Sequence, residues 1–225
     1  MNMGIIAASR LRASIPSYIE QDLLFYIDAT NTDSYSGTGT TINDLSVNQR
    51  SCELFGGTFI PEKAFRFNEF IEYFGDLNFT ISPGGGSFEF FIKLLPFNTF
   101  GNAGFFRNAE TFFIIRNSTK VPWVRVFGTS TNDYFFNYVY QTGSYFHLVY
   151  TFENSKLVLY INGVKNQEIP VSETFPSMDI RDFNFQGSKA ENVFSEYKNL
   201  LIYDRALNQT EVTTNYNYFQ NLYNF

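Results

Sequence analysis

The chain has 225 residues, a formal net charge of -6 and no Lys/Arg cluster, so neither nucleic acid nor an anionic membrane, both of which call for a basic patch, is expected as a partner. Its single cysteine, Cys52, leaves no internal disulfide, and no stretch approaches the ~20 apolar residues of a membrane-crossing helix. Aromatic residues make up 20% of the chain and charged residues only 17%, which suits the pleated, half-buried surface of strands.

Residues 1–21 read as an extended arm and residues 22–225 as one domain. The run Gly4-Ile5-Ile6-Ala7-Ala8 is too short for the apolar stretch of a secretion signal, and Arg10 and Arg12 follow it instead of preceding it, so the arm is expected to stay with the protein. Ile5, Ile6, Leu11 and Ile15 need a place to be buried, and with Arg10 and Arg12 they form a candidate anchor that adds to a sheet edge of a partner protein. The alternative is an edge strand on the chain's own sheet.

Strand signals begin at residues 23–28, and 30–48, rich in Thr, Ser, Asn, Asp and Gly, reads as a long loop. Short strand pieces follow at 64–67 and 70–73, then a turn at 83–86. In 87–95, Phe88, Phe90, Ile92 and Leu94 fall on one face and Glu89 and Lys93 on the other. Further strands are expected at 111–116, 123–127, 134–140, 146–152, 156–162, 182–186 and 198–203, with tight turns at Glu153-Asn154-Ser155 and at Asn162-Gly163. Asn208 and Glu211 make a capping box that opens a helix over 209–222, and Val212, Tyr216, Phe219 and Tyr223 give it an apolar stripe to pack on the sheets; the alternative is a helix that binds a partner. Many short strands separated by turns predict an all-β, antiparallel sandwich.

Four blocks resemble one family in its order. They are Leu24-Phe25-Tyr26-Ile27-Asp28-Ala29-Thr30-Asn31 with Ser34-Tyr35-Ser36-Gly37-Thr38-Gly39-Thr40-Thr41 and Asp44-Leu45-Ser46; Ser87-Phe88-Glu89-Phe90-Phe91-Ile92-Lys93; the hairpin from Tyr145-Phe146-His147-Leu148 to Leu159-Tyr160-Ile161-Asn162-Gly163-Val164; and Leu201-Ile202-Tyr203-Asp204-Arg205-Ala206-Leu207 with Glu211-Val212. Together they resemble the concanavalin A-like (laminin G-like) domains common in phage virion proteins. Ile42, Val47 and Tyr145-Phe146 depart from the Trp, Gly and Trp-His usual there. The resemblance implies a jelly-roll sandwich with a short C-terminal helix, and a non-enzymatic structural role in the virion as a capsid decoration, head-fibre or tail-associated protein. It implies other virion proteins as partners, the major capsid protein among them, and a multi-copy or homo-oligomeric assembly. The rival class is a carbohydrate-binding lectin module for host or surface glycans.

The residues themselves give little chemistry for turnover. Glycoside hydrolysis needs two carboxylates ~5–10 Å apart facing one bond. Glu69 and Glu72, three apart, would point to opposite faces of a regular strand, and Glu89 has only Lys93 at a matching spacing. His147, the single histidine, sits in an apolar strand and reads as structural. No enzyme and no required cofactor are expected. Calcium, which accepts carboxylate and amide oxygens, has one candidate set in Asp28, Asn31, Asp33 and Asp44; the alternative is that these residues cap turns. For a glycan, Trp123 and Tyr134 offer aromatic plates with Asn132, Asp133 and Asn137 beside them; the alternative is that the rings belong to the core.

Overall fold

The computed structural model describes residues 17–68, 72–96, 102–107, 111–116, 121–127, 131–172, 174–183 and 194–224. The first half of the chain gives β1 (Leu23–Asp28), β2 (Thr41–Asn43), β3 (Ser51–Phe55), β4 (Thr58–Ile60), β5 (Ala64–Phe67), β6 (Tyr73–Gly75), β7 (Phe79–Ile81), β8 (Gly85–Leu94) and β9 (Asn102–Arg107). The second gives β10 (Thr111–Arg116), β11 (Val121–Phe127), β12 (Thr131–Phe135), β13 (Tyr145–Glu153), β14 (Lys156–Ile161), β15 (Val164–Pro170), β16 (Met178–Ile180), β17 (Ser195–Tyr197), β18 (Asn199–Tyr203) and α1 (Gln209–Tyr223).

Every ladder between these strands is antiparallel. A nine-stranded sheet runs β15-β14-β13-β8-β17-β5-β4, with β18 and β1 joined along the other half of β8. The long β8 is its hub: Ser87–Glu89 pair with β18 and Ile92–Leu94 with β17. Lys198 steps out of the ladder between the two, its N–H donating to Phe91 O at 2.9 Å, while Asn199 Oδ1 accepts from Phe91 N at 2.7 Å. Gly86 of β8 has no room for a side chain, since a Cβ there would lie 2.6 Å from Phe152 Cζ and 2.8 Å from Ile81 Cγ2.

Three smaller sheets, β2-β3-β6, β7-β16 and β9–β12, share one core with the long sheet. Aromatic rings stitch the layers: Phe88 to Phe113 at 5.0 Å, Phe25 to Phe79 at 5.7 Å and Phe74 to Tyr197 at 5.7 Å. The expected alternation holds in β8, whose Phe88, Phe90, Ile92 and Leu94 all enter this core. The turn at Asn162-Gly163 has positive φ at both residues, as a two-residue hairpin requires.

The outer face of the long sheet is covered by α1. Val212 and Phe219 pack on Tyr26, Phe91, Val149, Leu201 and Tyr203 in a second apolar cluster. The capping box forms as the sequence predicts: Asn208 Oδ1 accepts from Thr210 N and Glu211 N, and Glu211 Oε2 accepts from Asn208 N at 2.9 Å. Tyr18 and Ile19, counted with the arm on sequence grounds, also join this cluster. Tyr18 lies 4.8 Å from Tyr26 and 5.5 Å from Tyr218, ring to ring, and Ile19 N donates to Asn215 Oδ1 at 2.7 Å. The candidate anchor residues Ile5, Ile6, Arg10, Leu11, Arg12 and Ile15 lie outside the described residues.

Several boundaries differ from the sequence reading. The loop expected over 30–48 contains β2, and β8 begins at Gly85, inside the expected turn. The strand expected over 134–140 ends at Phe135, because Phe136 and Tyr140 turn into the core and the Tyr140 hydroxyl meets that of Tyr150 at 2.7 Å. In place of a strand over 182–186, β16 lies earlier, Phe183 makes a single bridge to Phe74, and 184–186 fall outside the described residues.

Candidate functional site

Antiparallel pairing sets Trp123 opposite Phe135 and Arg125 opposite Asp133. Val124 and Val126 of β11 enter the core, so the side chains between them, with their partners on β12, form the outward face of the hairpin. There the Trp123 and Phe135 rings stack at 5.5 Å with an interplanar angle of 14°. Trp123 is 3% exposed, but Phe135 keeps 46% of its surface open. The Arg125 guanidinium sits 4.8 Å from the Trp123 ring centre and grips Asp133 in a fork, Nε to Oδ1 at 2.6 Å and Nη2 to Oδ2 at 2.8 Å. The hydrogen bonds it donates to Asp133 raise the guanidinium's proton affinity further. Among the described residues, the buried Trp123 Nε1 has no hydrogen-bond partner.

A half-exposed aromatic ring beside an arginine–carboxylate pair is what a sugar ring's C–H face and hydroxyls can meet. Of the residues singled out from sequence, Trp123 and Asp133 are brought together here. Tyr134 packs against the core and Asn132 shares its side of the strand. Asn137 lies beyond the strand, its exposed main chain donating to Gln167 Oε1 at 2.5 Å. Phe135 and Arg125 were missed, although period-two spacing points to both: Phe135 shares a face with Asp133, and Arg125 with Trp123.

The candidate calcium residues are engaged in loop geometry. Asp28 Oδ1 accepts from Thr30 N and Oγ1, both at 2.7 Å, and its Oδ2 from the Tyr26 and Tyr223 hydroxyls at 3.0 and 3.1 Å. Asp44 accepts from Tyr26 N at 2.9 Å and from Ser46 N at 2.8 Å. Asn31 Oδ1 accepts from Asp33 N at 2.9 Å, and Asp33 is exposed. No group of three or more His, Cys, Asp or Glu among the described residues is arranged to hold a metal ion.

Glu89 and His147, weighed above for catalysis, form a pair. His147 Nε2 meets Glu89 Oε1 at 2.8 Å, and both residues are 0% exposed beneath α1. Asn215 of α1 donates to Glu89 Oε2 at 2.7 Å, and the His147 ring lies 4.9 Å from Phe91 and 5.6 Å from Tyr216. His147 Nδ1 meets no partner among the described residues. The pair ties the helix to the sheet and is closed to a substrate. Glu72 is buried and accepts from Asn68 N at 2.5 Å, and Glu69 lies outside the described residues.

The architecture is that of a lectin-like sandwich. The chain belongs to the concanavalin A-like lectin/glucanases superfamily, a laminin G-type family model of which matches residues 73–213. A search of curated proteins gives no match. Among solved structures, the binding domain of Paraclostridial Mosquitocidal Protein 1 is similar at a TM-score of 0.67 and 18% identity, over 90% of this chain and 53% of that one. Botulinum neurotoxin serotype D ligand binding domain, solved in complex with N-acetylneuraminic acid, is similar at 0.64 and 14%, over 88% and 51%. Trypanosoma rangeli sialidase is similar at 0.60 and 12%, over 92% of this chain but 34% of the enzyme. The chain thus spans about half the length of the two toxin domains.

Proposed function

We propose that this protein is a non-catalytic carbohydrate-binding module and that the outward face of the β11–β12 hairpin is its glycan contact. The observation that carries this reading is Phe135, 46% exposed, stacked on a buried Trp123 with the Arg125–Asp133 fork alongside. Tryptophan and arginine fix the plate, so a sugar face docks without first ordering it. The toxin domain solved with N-acetylneuraminic acid supports a saccharide as the ligand class for this scaffold. A glycan array on the whole chain, followed by calorimetry on its best ligand, tests the reading. Phe135→Ala is expected to abolish binding with an unchanged melting temperature. An array with no ligand, or full affinity in Phe135→Ala, overturns it.

The four sequence blocks shared with phage particle proteins favour a virion as the place of this module. In that setting it is carried in several copies as a decoration, head-fibre or tail-associated protein and held on a capsid or tail partner by the part of the arm ahead of residue 17. Truncation of residues 1–16 is the test. The shortened chain should keep its melting temperature and fail to join purified particles; attachment that survives truncation rules the anchor out.

A further inference from the structure

Helix α1 and the connection into it do not close over β14 and β15 completely and leave a narrow trough on the outer face. One cross-strand row reads Ser87, Thr151, Val158, Glu168 across β8, β13, β14 and β15. The connection into the helix covers Ser87, whose hydroxyl accepts from Leu207 N at 2.9 Å and donates to Arg205 O at 2.8 Å. The rest of the row, with Tyr160 beside it, floors a trough of about 260 Å³ between that connection and β15. This equals roughly nine waters at ~30 Å³ each, room for one sugar ring.

The walls are fixed. Gln209 Nε2 donates to Gly163 O at 2.6 Å and its Oε1 accepts from Lys165 N at 2.9 Å, which pins the start of the helix to the β14–β15 turn. The rim carries two ion pairs, Lys156–Glu153 at 2.6 Å and Lys165–Glu168 at 3.2 Å, whose charges cancel. All four side chains are well exposed, and such pairs are held weakly, so ligand hydroxyls can exchange into them. Carboxylates accept from hydroxyls, ammonium groups donate to them, and Val158 with the Tyr160 ring gives a C–H face a dry floor. A net-neutral rim selects against charged ligands.

We propose that this trough is a second saccharide site, separate from the β11–β12 face, that takes a single uncharged pyranose unit. The test is a titration of the nitrogen-15-labelled full chain with methyl glucoside, galactoside and mannoside, with N-acetylneuraminate as the charged control. A neutral glycoside should give saturable shifts centred on Thr151, Val158, Lys165 and Ala206. Ala206→Trp, which fills the trough, should weaken binding about tenfold or more. Thr151→Val, nearly the same shape without the hydroxyl that bonds to Tyr160 and holds the floor in place, should weaken it severalfold and serves if the larger substitution disturbs folding. Absence of saturable shifts here with every neutral glycoside, equal affinity in wild type and both variants, or tighter binding of N-acetylneuraminate overturns the proposal. Phe135→Ala should leave this titration unchanged, so the two sites fail independently.

Discussion

Along β8 both faces of the long sheet are buried, and they are buried by different means. On the inner face Phe88, Phe90, Ile92 and Leu94 belong to the apolar core. On the outer face of the same strand, Phe91 joins the cluster under α1, Glu89 is held by His147 and Asn215, and Lys93 pairs with Glu196 at 2.5 Å. Alternation therefore sorts residues by face without telling which face meets water. A second layer makes the outer face an interior, and there a charge persists only with partners on its oxygens.

The inner face should be the more costly to damage. Phe90→Ala is expected to lower stability by about 3–5 kcal/mol in urea unfolding, as large core truncations do. On the outer face Glu89→Ala strands His147 and Asn215 and should cost roughly 3 kcal/mol. The triple change Glu89→Met, His147→Phe, Asn215→Leu is the sharper test: apolar replacement of the whole network should cost less than the single substitution. An equal or larger loss would mean that the hydrogen-bonded network itself, and not packing, holds the outer face.

Glu196 gives the contrast a pH dependence. Burial pushes its carboxyl up, but hydrogen bonds from Lys93, Tyr145 and Arg66 outweigh this and hold it below its ordinary value of 4.5. A carboxyl with a folded value below its unfolded one adds stability that is complete above that ordinary value and lost as pH falls through the folded value. Melting temperature should drop on the acid side of 4.5, and more gently in Lys93→Met. The smallest effect belongs to Asn208→Ala, which removes the helix cap and should cost about 1 kcal/mol by the same unfolding assay.

Local signals explain what could be read in advance. The strand at 64–67, the Asn162-Gly163 turn and the Asn208–Glu211 box are each decided by residues within a few positions of one another, and each is found. Short strands such as β4, β7 and β16 carry three residues apiece and exist only through partners elsewhere in the chain. The Glu89 network joins residues 58 and 126 apart, a coincidence that only topology creates. At the hairpin, composition drew attention to Tyr134 as an aromatic plate, whereas the strand's period of two turns Phe135 outward and Tyr134 inward.

The clasp between residues 18–19 and α1 has a mechanical consequence. Tension applied between these two places is borne first by the Ile19–Asn215 bond and the Tyr18–Tyr218 contact, outside the load path of the strands. Once the helix has peeled away, force passes to Leu23 and Tyr203, which sit directly opposite each other at one end of the β1–β18 ladder. That is unzipping geometry, in which the cross-strand pairs open in succession and never share the load. Pulled along this axis the domain yields softly and in two stages, a short extension as the helix leaves and a longer one as the sheet opens.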